Sequence, residues 1–234
     1  MVRTVTLHSI LSLCLAALLL TSCGTTAPED EAIVPGIGSE YRWVSATTDE
    51  HGTDPTRYDT ARYTIAAAYD HYLGESNVLL ADEIDAPLYL RYTGGGARAH
   101  YQTSVFPVPG TFVARSAWIT LPFTGERTIT RTLLDTIDPR SGGLHLIATL
   151  TAERIGEEEA TVDGTEHRGI RVDYTFRYEI VEEQTVMTVE GSTLQIPALG
   201  WPAWTIERTT MTIEGDVVRE TYVRGELAGY VVIE

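Results

Sequence analysis

Residues 170–180 read Ile170-Arg171-Val172-Asp173-Tyr174-Thr175-Phe176-Arg177-Tyr178-Glu179-Ile180. Apolar and polar side chains alternate along this run without a fault. A helix, turning about 100° per residue, would scatter such a pattern around its axis, whereas a strand sends successive side chains to opposite faces. The stretch is therefore a long strand, dry on one face and wet on the other. Alternation of this kind belongs to antiparallel sheet, because parallel strands are covered on both faces and read as continuous apolar runs.

The same period recurs on either side. Leu144, Leu146, Ala148, Leu150 and Ala152 carry it, as do Tyr63, Ile65, Ala67 and Tyr69, and Leu227, Gly229, Val231 and Ile233. Val162-Asp163-Gly164-Thr165, Glu214-Gly215-Asp216 and Arg224-Gly225-Glu226 each separate a pair of β-rich runs by a few residues, which is hairpin spacing. Strands are expected near 41–48, 60–71, 87–93, 97–104, 112–120, 127–135, 144–154, 158–163, 167–181, 184–195, 203–213, 216–224 and 226–233. From 144 onward each should lie beside its predecessor. Two stretches draw a helix reading, 60–73 through Ala66-Ala67-Ala68, and 77–84; in the first, alternation favours strand. The expected class is all-β, mainly antiparallel, a meander forming a half-barrel, barrel or sandwich, with room for one or two short helices.

The N-terminus carries an address. Arg3 is the only charge in the first 28 residues, and 10–20 is apolar apart from Ser12. A basic start, a short apolar run and small residues make an export signal, and the run is about half the ~20 residues a spanning helix needs. Residues 1–22 are thus read as a cleaved signal, 23–39 as a tether broken by Pro28, Pro35, Gly36 and Gly38, and 40–234 as one β-rich domain. A tether of that length reaches roughly 20–25 Å if it behaves like a flexible coil.

Leu20-Thr21-Ser22-Cys23 resembles the lipobox of bacterial lipoproteins, in which the cysteine thiol is lipidated and its freed amine acylated. The resemblance implies a membrane partner held through Cys23, and Gly24, in place of the Asp that marks inner-membrane retention in enteric bacteria, implies the outer membrane, with the domain in the periplasm or at the cell surface. Together with the long antiparallel meander, the lipobox makes the chain similar to lipoprotein carriers and receptors of the LolA/LolB type and related envelope β-domains. Ile196-Pro197-Ala198-Leu199-Gly200-Trp201, leading into two closing strands, is similar to the ending of several uncharacterised periplasmic lipoproteins. What the first likeness implies is lipid handling; it places no signature residue on this chain.

Composition narrows the chemistry. The chain has 33 acids against 17 bases and a formal charge of −16, so it lacks the clustered cations that neutralise phosphates, and nucleic acid is not an expected partner. Cys14 leaves with the signal and Cys23 is spent on lipid, which excludes an internal disulfide and a thiolate metal site. The acid excess keeps an anchored domain soluble and also suits a high-salt habitat.

His51, His71, His100, His145 and His167 stand singly, without metal-binding spacing, and the nucleophile elbow Gly-x-Ser-x-Gly is absent at Gly74-Glu75-Ser76. Gly94-Gly95-Gly96 lacks the Lys and Ser/Thr of a phosphate loop and reads as a hairpin tip. Asp82, Glu83 and Asp85 lack the spacing of a calcium loop, and Glu157, Glu158 and Glu159, with Glu182 and Glu183, read as turn carboxylates. No catalytic residue, metal or cofactor is expected.

Aromatic residues recur along the expected strands. Trp118, Tyr174, Phe176, Tyr178, Trp201 and Trp204 are the candidates for an apolar binding face, the alternative being that such rings fill the core. The leading expectation is a non-catalytic lipoprotein that cups an apolar ligand or lipid. The second is a scaffold that holds an envelope protein partner, and the third a hydrolase with a scattered site.

Overall fold

Among the described residues the chain forms β1 (Glu40–Thr48), β2 (Pro55–Tyr72), β3 (Glu75–Asp82), β4 (Leu88–Tyr92), β5 (Arg98–Val108), β6 (Thr111–Thr120), β7 (Thr128–Asp138), β8 (Leu144–Val162), β9 (Thr165–Ile180), β10 (Thr185–Ile196), β11 (Trp201–Ile213) and β12 (Asp216–Val231). The computed structural model describes residues 32–48, 55–72, 74–82, 88–92, 98–108, 111–138 and 142–233. For 48, 55–57, 82, 98–108, 111–118 and 138 it describes the backbone alone. Cys23, the signal, His51 and Gly94-Gly95-Gly96 lie outside the described residues.

All twelve strands join one sheet in the order β6-β5-β4-β3-β2-β1-β12-β11-β10-β9-β8-β7. Two six-stranded meanders thus meet where β1 pairs antiparallel with β12. The expected all-β, antiparallel architecture is what the chain adopts, and from β7 to β12 each strand lies beside its predecessor. Tight turns set the hairpins. Asp163 and Gly164 (φ 50° and 79°) and Glu214 and Gly215 (φ 52° and 91°) all take the left-handed conformation that matches a two-residue hairpin to strand twist.

Three local readings are corrected. Leu144–Val162 is one strand, in which a bulge between Arg154 and Gly156 replaces the expected break. Glu157, Glu158 and Glu159 therefore stand in β8, opposite Ile170, Gly169 and Arg168, and not in a turn. Arg224-Gly225-Glu226 likewise runs unbroken through β12, paired with Ala46, Ser45 and Val44. The stretch drawn towards helix at 77–84 is strand as far as Asp82. Helical geometry is confined, among the described residues, to the 3-10 turn Pro197–Leu199.

Among the described residues neither β6 nor β7 pairs with a strand on its outer side, so the sheet is open. Residues 121–127 join those two edges, and eight Cα steps span at most about 29 Å, so the sheet must curl until its edges approach. Leu121 and Phe123 of this link are buried against Leu150 of β8 and Tyr174, Phe176 and Tyr178 of β9 in one core cluster. The Arg154 guanidinium holds the link in place by donating to the carbonyls of Phe123 and Gly125, both at 3.2 Å.

A second cluster gathers Tyr41, Ile65, Leu90, Leu194, Ile196, Trp201 and Leu227. Its corner is the 3-10 turn, onto which three distant segments bond. The Ile33 amide donates to the Pro197 carbonyl (3.1 Å), the Tyr41 hydroxyl to Leu199 (2.7 Å) and the Tyr92 hydroxyl to Gly200 (2.6 Å). Gly200 is left-handed (φ 61°), and a Cβ there would sit 2.9 Å from the Pro35 ring.

The end of the stretch read as tether is held on the domain. The Gly36 amide donates to Ile233 and Gly38 to Ile65, while Ser39, fully buried, exchanges hydrogen bonds with the Ile233 backbone. The compact unit accordingly runs from Glu31 to Glu234.

Candidate functional site

A pocket of about 210 Å³ opens between strands that the sheet order keeps apart. Trp43 enters it from β1, Tyr63 from β2, Leu88 from β4, Trp201 and Glu207 from β11, and Val223 from β12. Curling of the sheet is what lets β4 and β11 share one wall. Each ring is set by a neighbour. Trp201 follows the 3-10 turn after Gly200 and stacks on Tyr41 at 4.3 Å and 12°, with Tyr63 tilted against it at 5.3 Å.

Trp43 is placed by an absence. A Cβ on Gly225 would fall 2.5 Å from its Nε1 and closer still to its Cζ2, so the indole lies directly against the β12 backbone. Gly225 is therefore a seat for a ring in mid-strand. Among the described residues Glu207 is the one charged residue lining the pocket. Its Oε1 accepts the Tyr174 hydroxyl at 2.5 Å, which aims the carboxylate from below.

A larger open cleft, about 530 Å³, is lined by residues of β7 to β12, including Arg171, Asp173, Glu190, Ser192 and Arg208. Its charges satisfy one another. Arg171 Nε donates to Asp173 and to Ser192 Oγ at 3.1 Å each, its Nη1 reaches Glu158 at 3.1 Å, and Ser192 Oγ donates to Asp173 at 2.5 Å. Arg208 is bound by Glu220 and stands 5.6 Å above the Tyr222 ring. The bonds to Asp173 and Glu158 raise Arg171 above its ordinary value, and the bond to Glu220 does the same for Arg208. Both remain cations at any working pH and have no proton to exchange.

The six aromatic candidates go to different places in the structure. Tyr174, Phe176 and Tyr178 are 7%, 6% and 4% exposed and pack ring to ring in the first core cluster. Trp204 is half-buried against the second cluster. Trp201 lines the pocket. Trp118 stands opposite Tyr101 in β6, and its side chain lies outside the described residues. Trp43, Tyr63 and Glu207 line the pocket without being among the six candidates, although alternation sets Tyr63 on an apolar face. They converge only because the sheet curls, and Gly225, read from the sequence as a hairpin turn, gave no sign of it.

His145 Nε2 pairs with Asp135 at 2.7 Å, and His167 Nε2 with the Tyr230 hydroxyl at 3.0 Å. Neither histidine lines the pocket or the cleft. Among the described residues no group of three or more His, Cys, Asp or Glu could hold a metal ion, and no helix is long and apolar enough to cross a membrane.

No protein-family model and no curated protein matches the chain. A solved structure of a Bacteroides fragilis protein, inferred to be exported and assigned a YmcC-like fold, aligns over 86% of this chain and 99% of its own length, at 11% identity and a TM-score of 0.41.

Proposed function

We propose that the chain is an exported lipoprotein, held at the outer membrane through Cys23, whose non-catalytic β domain binds the apolar portion of a small ligand in the pocket framed by Trp43, Tyr63 and Trp201. The observation that carries this reading is the pocket itself. Trp43, Tyr63 and Trp201 pack in or against the second core cluster and at the same time border open space beside a carboxylate. Volume limits the cargo. At about 210 Å³ the pocket falls below the roughly 300–1,000 Å³ of drug-sized sites, so it suits a compact group better than a whole acyl chain. The lipid-carrier version implied by a LolA/LolB likeness is correspondingly less favoured than capture of a small molecule or a headgroup.

The indole N–H signals of Trp43 and Trp201 report on occupancy. In full-length protein held in maltoside micelles, a compact branched alcohol, 3,3-dimethylbutan-1-ol, should shift both signals saturably. Signals that ignore both this probe and its charged counterpart, choline, would remove the pocket from consideration.

A scaffold of envelope assembly is the second reading, and the open outer edge of β7 favours it. Such an edge accepts a partner strand by backbone hydrogen bonding. A stoichiometric protein crosslinked to β7 in cells would support it.

A further inference from the structure

The pocket's electrostatics narrow what it holds. Among the described residues its lining includes three aromatic rings, together with Leu88, Pro202 and Val223, and one charge, the Glu207 carboxylate. Among the described residues no arginine lines it and no guanidinium lies within ion-pair reach of Glu207, in contrast to the neighbouring cleft. Ring faces carry the negative end of the aromatic quadrupole and attract cations, most strongly at tryptophan. Ring faces and carboxylate therefore favour the same sign of guest. The whole chain, at −16, adds a field that draws cations in.

The type of cation follows from what the walls lack. A metal ion would need oxygen ligands in place of its water shell, and among the described residues Glu207 and Thr205 are the only lining side chains with oxygen besides the Tyr63 phenol. A primary ammonium needs three acceptors, and one Glu207 oxygen already accepts from Tyr174 while the Thr205 hydroxyl is engaged with Thr193. An ammonium clothed in methyl groups needs none, presents an apolar surface to the rings, and is compact enough for about 210 Å³.

Resting on the pocket assigned above, we infer that this site binds a quaternary or methylated ammonium group of the choline type, caged by Trp43, Tyr63 and Trp201 with Glu207 as counter-charge. The seat at Gly225 and the bond from Tyr174 to Glu207 hold the cage ready before the guest arrives.

The test compares choline with 3,3-dimethylbutan-1-ol, its neutral carbon copy, by calorimetric and NMR titration of full-length protein in maltoside micelles. Choline should bind at least about tenfold more tightly. Trp43→Leu, which keeps apolar bulk but removes the ring, should cost choline about 2- to 30-fold while leaving the alcohol's affinity nearly unchanged. Glu207→Gln, which still accepts from Tyr174, should cost choline about three- to tenfold and abolish the salt dependence of its binding. If Trp43→Leu fails to fold, as read by circular dichroism, Tyr63→Leu takes its place beside Glu207→Gln.

Equal affinity for choline and the alcohol, or a Glu207→Gln protein that binds choline undiminished, would overturn the cation assignment and leave the apolar pocket standing. Silence towards both probes would overturn the two together. A shift of the Trp43 and Trp201 indole signals when phosphatidylcholine but not phosphatidylglycerol is added to the micelles, reversed by free choline, would place the group on a lipid headgroup. Choline binding without such a shift would make it a free solute, and either source sustains the assignment.

Discussion

Gln195 is 1% exposed, and neither its amide nitrogen nor its amide oxygen meets a hydrogen-bond partner. It stands in β10 opposite Ile170 on one side and Pro202 on the other, the second of which has no N–H to offer. Burying an unsatisfied amide costs about 1–3 kcal/mol. Gln195→Leu, close in volume and without polar atoms, should therefore raise the unfolding free energy by about that amount in urea titration. A loss of stability would show that the amide is engaged. Gly225 teaches the complementary lesson about legibility. Between Arg224 and Glu226 a glycine has the local look of a turn, but its work is set by Trp43, far away in the chain and beside it in the fold. No window of neighbouring residues could have revealed that contact, and the pocket wall at Trp43 was hidden with it.

The elements were legible wherever one face met water. β9 declares itself because Arg171, Asp173, Thr175, Arg177 and Glu179 alternate with buried residues. In β3, by contrast, Val78 and Leu79 are both buried although they point to opposite faces, so from Val78 to Ala81 the strand has no exposed side and its apolar run has no period to read. β8 misled for a different reason: the bulge after Arg154 moves the following side chains across the sheet, and three adjacent glutamates looked like a turn. Pairing also sets the order in which elements open. β7 has one neighbour, β8, while β12 lies between β1 and β11. In native-state hydrogen exchange the outward amides of β7 should exchange first and those of β12 among the last. Protection of β7 equal to that of β12 would mean that its outer edge is covered, which is the signature the scaffold reading requires.

At the scale of the molecule, the composition and alternation announced an antiparallel all-β chain, but not that its two meanders would be joined through the first and last strands. Loss of a chain terminus usually trims an edge; here it strikes the middle of the sheet. Residues 227–234 supply Leu227 to the core, pair with 40–43, and carry the Ile233 backbone that binds Ser39 and Gly36. A chain stopped at Glu226 should therefore lose its cooperative unfolding transition altogether, where removal of an edge would only lower it, and brief trypsin digestion should tell the two apart. The arrangement also fixes a schedule. At roughly 5–20 residues per second, about ten to forty seconds of synthesis separate β1 from the strand that closes on it. For that interval the newborn first half shows an unzipped flank to its surroundings, so a holding chaperone matters more to this protein than its short hairpin loops would suggest.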